Sequence, residues 1–388
     1  MLKKVANYFV FYLGTFRFTT EYAIGRITFS FVLLLKRRIF NCSEVGPKIE
    51  SCETLIIERI KDLWSEKRTP LHIALVYRDF EIVKHLLEWK PEDVNSSMND
   101  DGITPLHIAA YIDSEDICNH LLQIGANVDA TSKTGVTPLY VAATFNVSKI
   151  LIQNGANVNA QAKNGWTPLH KAAYENLLEK AEFLIENGAE INSNHDYGHG
   201  GTPLHYSAFE GNIEMSRLLI ENGANINASD NNAYSPLLAA VRYNQIELIG
   251  HLLENGANIN AQNTEGLTSL HIAIVNSNLN MVEALVFKGA NLEIRCYEFR
   301  TPLFDAFAQG EQEIFELLIT YGADVNAMTH ENDYLLHWAV SSDDLIFAKI
   351  LLQNGALVSV KDQHDITPIE VAIHEKKLNA MKLMMFYQ

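Results

Sequence analysis

The sequence is poor in the residues and motifs that mark secreted, metal-binding or catalytic proteins. Its 388 residues include four cysteines, Cys42, Cys52, Cys118 and Cys296, with no spacing that suits metal ligation. A disulfide framework is therefore not expected, and a reducing compartment such as the cytoplasm is favoured. The sequence also contains no Gly-x-x-x-x-Gly-Lys, Gly-x-Ser-x-Gly or His-Glu-x-x-His motif. We therefore expect no enzymatic activity, no cofactor and no metal site.

No apolar run in the first forty residues reaches the ~20 residues that a membrane-spanning helix needs. The two candidate runs, 5–13 and 27–35, are separated by three charged residues. They lie in a basic and aromatic leader, residues 1–44, for which three interpretations stay open. The leader is a packed or poorly ordered segment, an interfacial anchor that contacts a membrane through residues 1–40, or a targeting segment that is cleaved or spans.

Positive charge is scarce beyond the leader. The chain has a net charge of −17, from 30 Lys and Arg against 47 Asp and Glu. Residues 1–40 contain seven of the basic residues and one acidic residue, a charge of +6, so the remaining residues carry −23. Because affinity for nucleic acid comes from neutralising phosphates with Lys and Arg, nucleic acid is not expected as a partner. The acidic charge favours solubility and basic partners.

The sequence does contain one short motif in ten copies, which is best seen as Thr-Pro-Leu-His. The steps between copies are 30 to 35 residues, and six of the nine steps are 33. Such a period predicts a stack of similar units, each packed on its neighbours. The copies begin at Thr69, Thr104, Thr137, Thr167, Thr202, Ser235, Thr268, Thr301, Tyr334 and Thr367.

The unit that begins at Thr202 shows what one repeat should look like. Thr202 is a suitable N-cap, and Pro203 stands at the first helical position, where a missing N–H costs nothing. A break at Gly211 ends this helix, and apolar residues at helical spacing predict a second helix that ends before Gly223. An extended Asn-Ile-Asn-Ala stretch and a polar tip follow, which predict a projecting hairpin loop.

This pattern resembles the ankyrin repeat, whose signature is a 33-residue period with Thr-Pro-Leu-His-x-Ala. The resemblance implies an all-α fold, an ankyrin-repeat solenoid of stacked helix-turn-helix units with projecting β-hairpin loops. We assign about ten repeats to residues 67–388. Residues 45–66 have an apolar helical face and are interpreted as an N-terminal capping helix.

Four repeats depart from the pattern: the first runs two residues long and has Lys90-Pro91 where Gly-Ala is usual, the loop after Gly188 has two extra residues, and the third and ninth differ as follows. The unit at Thr137 is three residues short, and we place the loss between Ala143 and Val147, in the turn that joins its two helices. Because stability in such arrays sums over neighbouring interfaces, we expect a weak joint there. The ninth unit begins with Tyr334 and Leu335 and so lacks both the capping Thr and the Pro.

Histidine is the most abundant potential ligand. Six of the fourteen histidines occupy the fourth position of the repeated motif, where the resemblance implies a structural role: His72, His107, His170, His205, His271 and His337. The best remaining cluster, His195, Asp196 and His199, lies in a glycine-rich loop without a further ligand, and we favour a solvated tip over a metal site.

Partner binding is expected on the concave face of the stack and on the loop tips. Aromatic residues concentrate there in the first six repeats, and exposed aromatic residues are typical of binding hot spots. The predicted groove residues are Tyr77, Tyr111, Trp166, Tyr174, Phe209, Tyr234 and Tyr243. The alternative is that these rings pack on the adjacent helix pair.

The function predicted from the sequence is that of a non-enzymatic, monomeric scaffold that binds another protein. The competing prediction is a membrane-associated protein, similar in layout to toxins and bacterial effectors, that uses the leader as an anchor. Flotation of the chain on liposomes, with and without the leader, separates the two.

Overall fold

The computed structural model describes residues 70–97, 101–194, 200–328 and 333–387. The predicted leader (1–44), the predicted capping helix (45–66) and the His195–His199 cluster lie outside the described residues. None of the helices in the described ranges is long and apolar enough to cross a membrane.

The chain forms two compact units, one up to Asn127 and one from Val128. In the first unit, the described helices are α1 (Pro70–Val76), α2 (Phe80–Trp89), a 3₁₀ helix (Pro91–Asn95), α3 (Pro105–Tyr111) and α4 (Glu115–Gln123). Within this unit α1 packs on α2 and α3, and α3 packs on α4.

The second unit repeats the same pair of helices eight times. The first helix of each pair packs on the second, and most helices also pack on their counterparts in the next repeat. The pairs are α5 (Pro138–Val141) and α6 (Phe145–Gln153), α7 (Pro168–Tyr174) and α8 (Leu178–Glu186), α9 (Pro203–Glu210) and α10 (Ile213–Glu221), α11 (Pro236–Arg242) and α12 (Ile246–Glu254), α13 (Ser269–Val275) and α14 (Leu279–Phe287), α15 (Pro302–Gln309) and α16 (Gln312–Thr320), α17 (Leu335–Ser341) and α18 (Leu345–Gln353), and α19 (Pro368–His374) and α20 (Leu378–Phe386).

The repeated motif sets the residue at which each first helix begins. At α7, the Thr167 hydroxyl accepts a hydrogen bond from the His170 backbone N–H, and Nδ1 of His170 accepts one from the Thr167 N–H. This reciprocal capping satisfies two donors that a helix start would otherwise leave unpaired. The ninth repeat lacks it, since Tyr334 caps α17 without a side-chain hydrogen bond, as its sequence predicts.

The second helices end as the glycine pattern predicts. After α10, Gly223 has a φ of +93°, and the Ala224 N–H donates to the Leu219 carbonyl at 2.9 Å. A left-handed residue that follows the last turn of a helix satisfies carbonyls that would otherwise have no donor. From α12 onwards, the buried faces of these helices belong to one apolar core that extends from Ala208 to Met384. Most of the described second unit therefore has a long shared core rather than a central one.

The loops between repeats are tight turns. In the loop before α7, the Ala162 N–H donates to the Trp166 carbonyl at 2.9 Å, and the Lys163 N–H donates to the Thr134 carbonyl of the preceding loop at 2.8 Å. An isolated bridge joins Met328 and Tyr334 in a later loop. The predicted hairpin loops are thus present as turns that touch their neighbours, without extended strands in the described ranges.

Asparagine side chains connect successive repeats behind these turns. The Asn227 amide donates to the Gly256 carbonyl at 3.1 Å, and its oxygen accepts from the Asn258 N–H at 2.8 Å. Asn159 and Asn192 make the same pair of bonds to the repeats that follow them. The Asn-x-Asn stretch, which the sequence shows only as an extended segment, is therefore an inter-repeat connection.

The short third repeat differs from the prediction. The three missing residues are taken from the first helix and not from the turn, because α5 has four residues where α7 has seven. Ala142, Ala143 and Thr144 then form the link to α6, which keeps its full nine residues. The last carbonyls of α5 consequently lack the helical turn that follows them in other repeats.

Candidate partner-binding surface

The motif histidines are structural, as the resemblance implies. Nε2 of His170 donates to the Gly201 carbonyl at 3.1 Å, and Nε2 of His205 donates to the Tyr234 carbonyl at 2.9 Å, in each case in the next repeat. Because Nδ1 accepts from the capping residue, the proton belongs on Nε2. Burial lowers the pKa of His205 and of His271, which favours the neutral ring that this pattern needs. These side chains are not available to a ligand.

Four of the seven predicted groove residues form a continuous row in the second unit. The ring of Tyr174 lies 5.7 Å from that of Trp166 and 6.2 Å from that of Phe209, centroid to centroid. The ring of Tyr243 continues the row 3.9 Å from Phe209. Tyr206, which the repeat pattern does not single out, packs 4.4 Å from Trp166, centroid to centroid. We call Trp166, Tyr174, Tyr206, Phe209 and Tyr243 the aromatic row.

Three members of the aromatic row come from two adjacent positions, the seventh and the eighth after the capping residue, in successive helix pairs. Tyr174 is the last residue of α7, Phe209 is the next-to-last residue of α9, and Tyr243 follows the last residue of α11. Trp166 reaches them from the loop before α7, and its indole N–H donates to the Tyr206 hydroxyl at 3.2 Å. The buried Ala172, Ala173 and Ala208 beneath let the helices lie close together, so the rings of neighbouring repeats touch.

The rings pack on one another and are also exposed. Tyr174 keeps 41% of its surface in solvent and Tyr243 keeps 45%, whereas Trp166, Tyr206 and Phe209 are half-buried. The two readings of the sequence, a binding site and packing on the adjacent helix pair, therefore describe the same rings. Mutual packing fixes their positions and so lowers the entropy that a binding event would have to remove.

The other three predicted residues are Tyr234 in the second unit and Tyr77 and Tyr111 in the first. Tyr234 is half-buried, and its hydroxyl accepts a hydrogen bond from Nη1 of Arg242 at 2.8 Å, with the guanidinium 5.2 Å from the centre of the ring. Tyr77 and Tyr111 belong to the first unit, where Tyr111 is 71% exposed. These two tyrosines are separate surface rings of that unit.

Carboxylates border the aromatic row. Glu175 and Glu210 directly follow Tyr174 and Phe209 and are exposed. Glu175 pairs with Lys171, whose ammonium also lies 5.7 Å from the centre of the Tyr140 ring. Burial, and next to it the Glu175 charge, raise the pKa of Tyr140 to about 12. This edge of the row therefore combines ring faces with negative charge.

The described residues contain no group of three or more His, Cys, Asp or Glu that could hold a metal ion. Cys118 and Cys296 are buried free thiols. Burial raises the pKa of Cys118 to about 12, with smaller contributions from Asp113 and Glu115, so this thiol is a poor nucleophile.

Comparison with known families agrees with this geometry. A model described as ankyrin repeats (3 copies) matches residues 39–132, 113–195, 193–263 and 251–329, and a model of the single ankyrin repeat matches residues 331–363. The chain belongs to the ankyrin-repeat family. The matches include the short third repeat and begin before the described residues. The family match and the helix pairs of the structure thus agree on an all-α ankyrin solenoid.

Among solved structures, the chain is similar to the crystal structure of the ankyrin repeat domain of Bcl-3, which is described as a unique member of the IkappaB protein family. The two are 27% identical, the TM-score is 0.53, and the match covers 57% of this chain and 99% of the other. Ankyrin repeats are generally non-enzymatic domains for protein–protein interaction, and membership of this family supports an interaction scaffold as the general class of this protein.

Proposed function

We propose that this protein is a non-enzymatic scaffold that binds a partner protein through the aromatic row. The observation that carries the proposal is the contact of rings from three successive repeats, with Tyr174 and Tyr243 still exposed. Aromatic side chains are enriched among the residues that dominate binding energy. A row that is already ordered offers apolar surface at a small entropic cost.

The charge around the row favours a basic partner segment. Glu175 and Glu210 stand beside the rings, and the chain beyond residue 40 carries a charge of −23 within a total of −17. An arginine guanidinium stacks on aromatic faces and pairs with carboxylates at the same time. We therefore propose that the bound segment carries arginine, and that its association is faster at low ionic strength.

The test compares the full chain with a variant that carries Tyr174→Ala, Phe209→Ala and Tyr243→Ala. The matched control is Phe287→Ala, which removes a 76% exposed ring at the end of α14, outside the row. Proteins captured from a lysate by the wild type and by the control, but not by the triple variant, are then purified and titrated directly. Loss of a hot-spot ring costs ~2 kcal/mol or more, about 30-fold in Kd for one residue.

Circular dichroism and thermal unfolding of the triple variant establish that its repeats are still folded. If every captured protein binds the folded triple variant as tightly as it binds the wild type, the aromatic row is not the binding site. If a partner is lost but its affinity is independent of Glu175→Gln and Glu210→Gln, the row binds and the arginine proposal is wrong.

A further inference from the structure

The buried side chain of Lys180 stands out against the other repeats. It is the third residue of α8 and only 1% exposed. The same position of the second helix is apolar in the neighbouring repeats and throughout most of the stack: Ile117, Val147, Met215, Leu248, Met281, Ile314 and Phe347. A lysine is almost never fully buried unless its ammonium group has partners.

The partners of Lys180 are carbonyl groups of the shortened helix α5 and of Ala142, the residue that follows it. Its Nζ donates to the carbonyls of Ala142 at 2.6 Å, Leu139 at 3.1 Å and Tyr140 at 3.4 Å. In a first helix of full length the following turn supplies such donors, as when the Glu175 N–H donates to the Lys171 carbonyl at 2.9 Å. The N–H groups of Lys180 thus replace donors that the three-residue deletion removed, and the neutral amine, which has two N–H groups, can donate to two of the three carbonyls at a time.

We propose that Lys180 and the end of α5 form a proton-sensitive joint between the third and fourth repeats, which opens more readily when the lysine is protonated. The proposal goes beyond partner binding and does not depend on it. A protonated Lys180 in the closed joint would hold its charge away from water, whereas in an open joint solvent stabilises that charge. The joint adjoins the aromatic row, since α7 packs on both α5 and α8.

The charges around Lys180 do not offset its burial. Burial, with a smaller contribution from the Lys171 ammonium of α7, lowers the pKa of Lys180 from 10.5 to about 7, and Glu175 of the same helix acts in the opposite direction. The ionisable group of α5, Tyr140, has a pKa of about 12 and is therefore neutral near pH 7, where Lys180 titrates in the closed joint. Lys149 of α6 and the Glu214–Arg217 pair of α10 are exposed.

The pKa of Lys180 is about 7 in the closed joint and 10.5 in the open joint, and this difference sets the sign of the pH dependence. Between about pH 7 and pH 10.5 the open joint binds a proton on Lys180 and the closed joint does not. Opening is therefore favoured as the pH falls through this range and levels off below about pH 7. Within the range, the opening equilibrium changes by up to about tenfold per pH unit.

Hydrogen exchange of the full chain, followed by mass spectrometry between about pH 7 and pH 9, tests the joint. Exchange of residues 138–150 is divided by the rate of the unfolded peptide at each pH, which removes the base catalysis of exchange itself. In the wild type the corrected opening should fall about fivefold from pH 7 to pH 8 and further towards pH 9. The same correction applied to α11 and α12 gives the reference for global effects.

Lys180→Met, which places the residue of the fifth and seventh repeats at this position, should remove the slope in residues 138–150. Lys180→Arg, which keeps its charge throughout the range, should remove it as well and serves if the methionine variant does not fold. Lys149→Met, an exposed lysine on α6, should keep the wild-type slope. A flat wild-type profile, or an equal slope in the wild type and in both Lys180 variants, overturns the proposal.

Discussion

At the scale of single residues, the pair of Arg300 and Asp305 holds the loop before α15 on its helix. Nε of Arg300 donates to Oδ1 of Asp305 at 2.6 Å, and Asp305 is 2% exposed. The Arg300 carbonyl accepts from Nε2 of His271 in the preceding repeat. Arg300, a charged residue in a loop, is thus part of the packing between repeats.

Arg300→Ala should lower the free energy of unfolding by about 3 kcal/mol, because it leaves the Asp305 carboxylate buried without its cation. Urea unfolding of the full chain, followed by circular dichroism, measures the change. Arg295→Ala, an exposed arginine in the same loop, is the control and should have little effect. In an Asp305→Asn background, Arg300→Ala should cost less than about 1 kcal/mol; equal costs in both backgrounds would contradict this account.

The motif residues could be predicted from the sequence because each depends on its neighbours within a few positions. Thr167 and His170 cap the start of one helix, and Pro168 occupies its first position, where a proline is tolerated. Lys180 could not be placed in this way, because a lysine in an amphipathic helix is ordinarily exposed. The available signals were its position in an otherwise apolar column and the deletion one repeat earlier.

In the aromatic row, too, some residues could be predicted from their place in the repeat and one could not. Trp166, Tyr174, Phe209 and Tyr243 could be selected from their positions in the repeat, which put them on one face of successive helix pairs. The partner of Trp166 could not, since Tyr206 follows its own capping Thr by four residues, a position that the period alone does not place near a loop. Whether these rings bind a partner stays a prediction.

At the scale of elements, the Asn-x-Asn segments connect each helix pair to the next. Asn227→Ala removes both the bond to the Gly256 carbonyl and the bond from the Asn258 N–H. Two hydrogen bonds at an exposed site together contribute about 1–2 kcal/mol. We expect faster hydrogen exchange at the amide of Asn258, whose acceptor is lost, and a lower free energy of unfolding.

Asn222→Ala is the matched control for this connection. Its amide donates to the Leu218 carbonyl at 2.8 Å within its own helix. The substitution should weaken the end of α10 without changing exchange at Asn258. Similar exchange at Asn258 in the two variants would mean that Asn227 does not connect its repeat to the next.

At the scale of the whole molecule, acidic charge opposes folding. The net charge is −17, and the basic leader reduces a larger negative charge on the rest of the chain. Salt shortens the Debye length from about 30 Å at 0.01 M to about 8 Å at 0.15 M and so weakens this repulsion. The midpoint of thermal unfolding should therefore rise by a few degrees over this range.

Sodium chloride and tetramethylammonium chloride should raise the midpoint equally, since screening depends on ionic strength and not on the identity of the cation. A midpoint that is constant or falls over this range would show that local ion pairs, such as Lys288 with Glu254, outweigh the long-range repulsion.

A left-handed glycine follows the second helix in repeats two to nine, from Gly125 to Gly355. Gly223 and Gly256 both have a φ of +93°, yet a Cβ at either position would meet no atom within 4 Å. Space does not select glycine there; the left-handed backbone does. A mirror-image residue such as D-alanine fits this conformation and restricts the unfolded chain, so chemical synthesis could stabilise the stack at a position where every L-alanine would strain it.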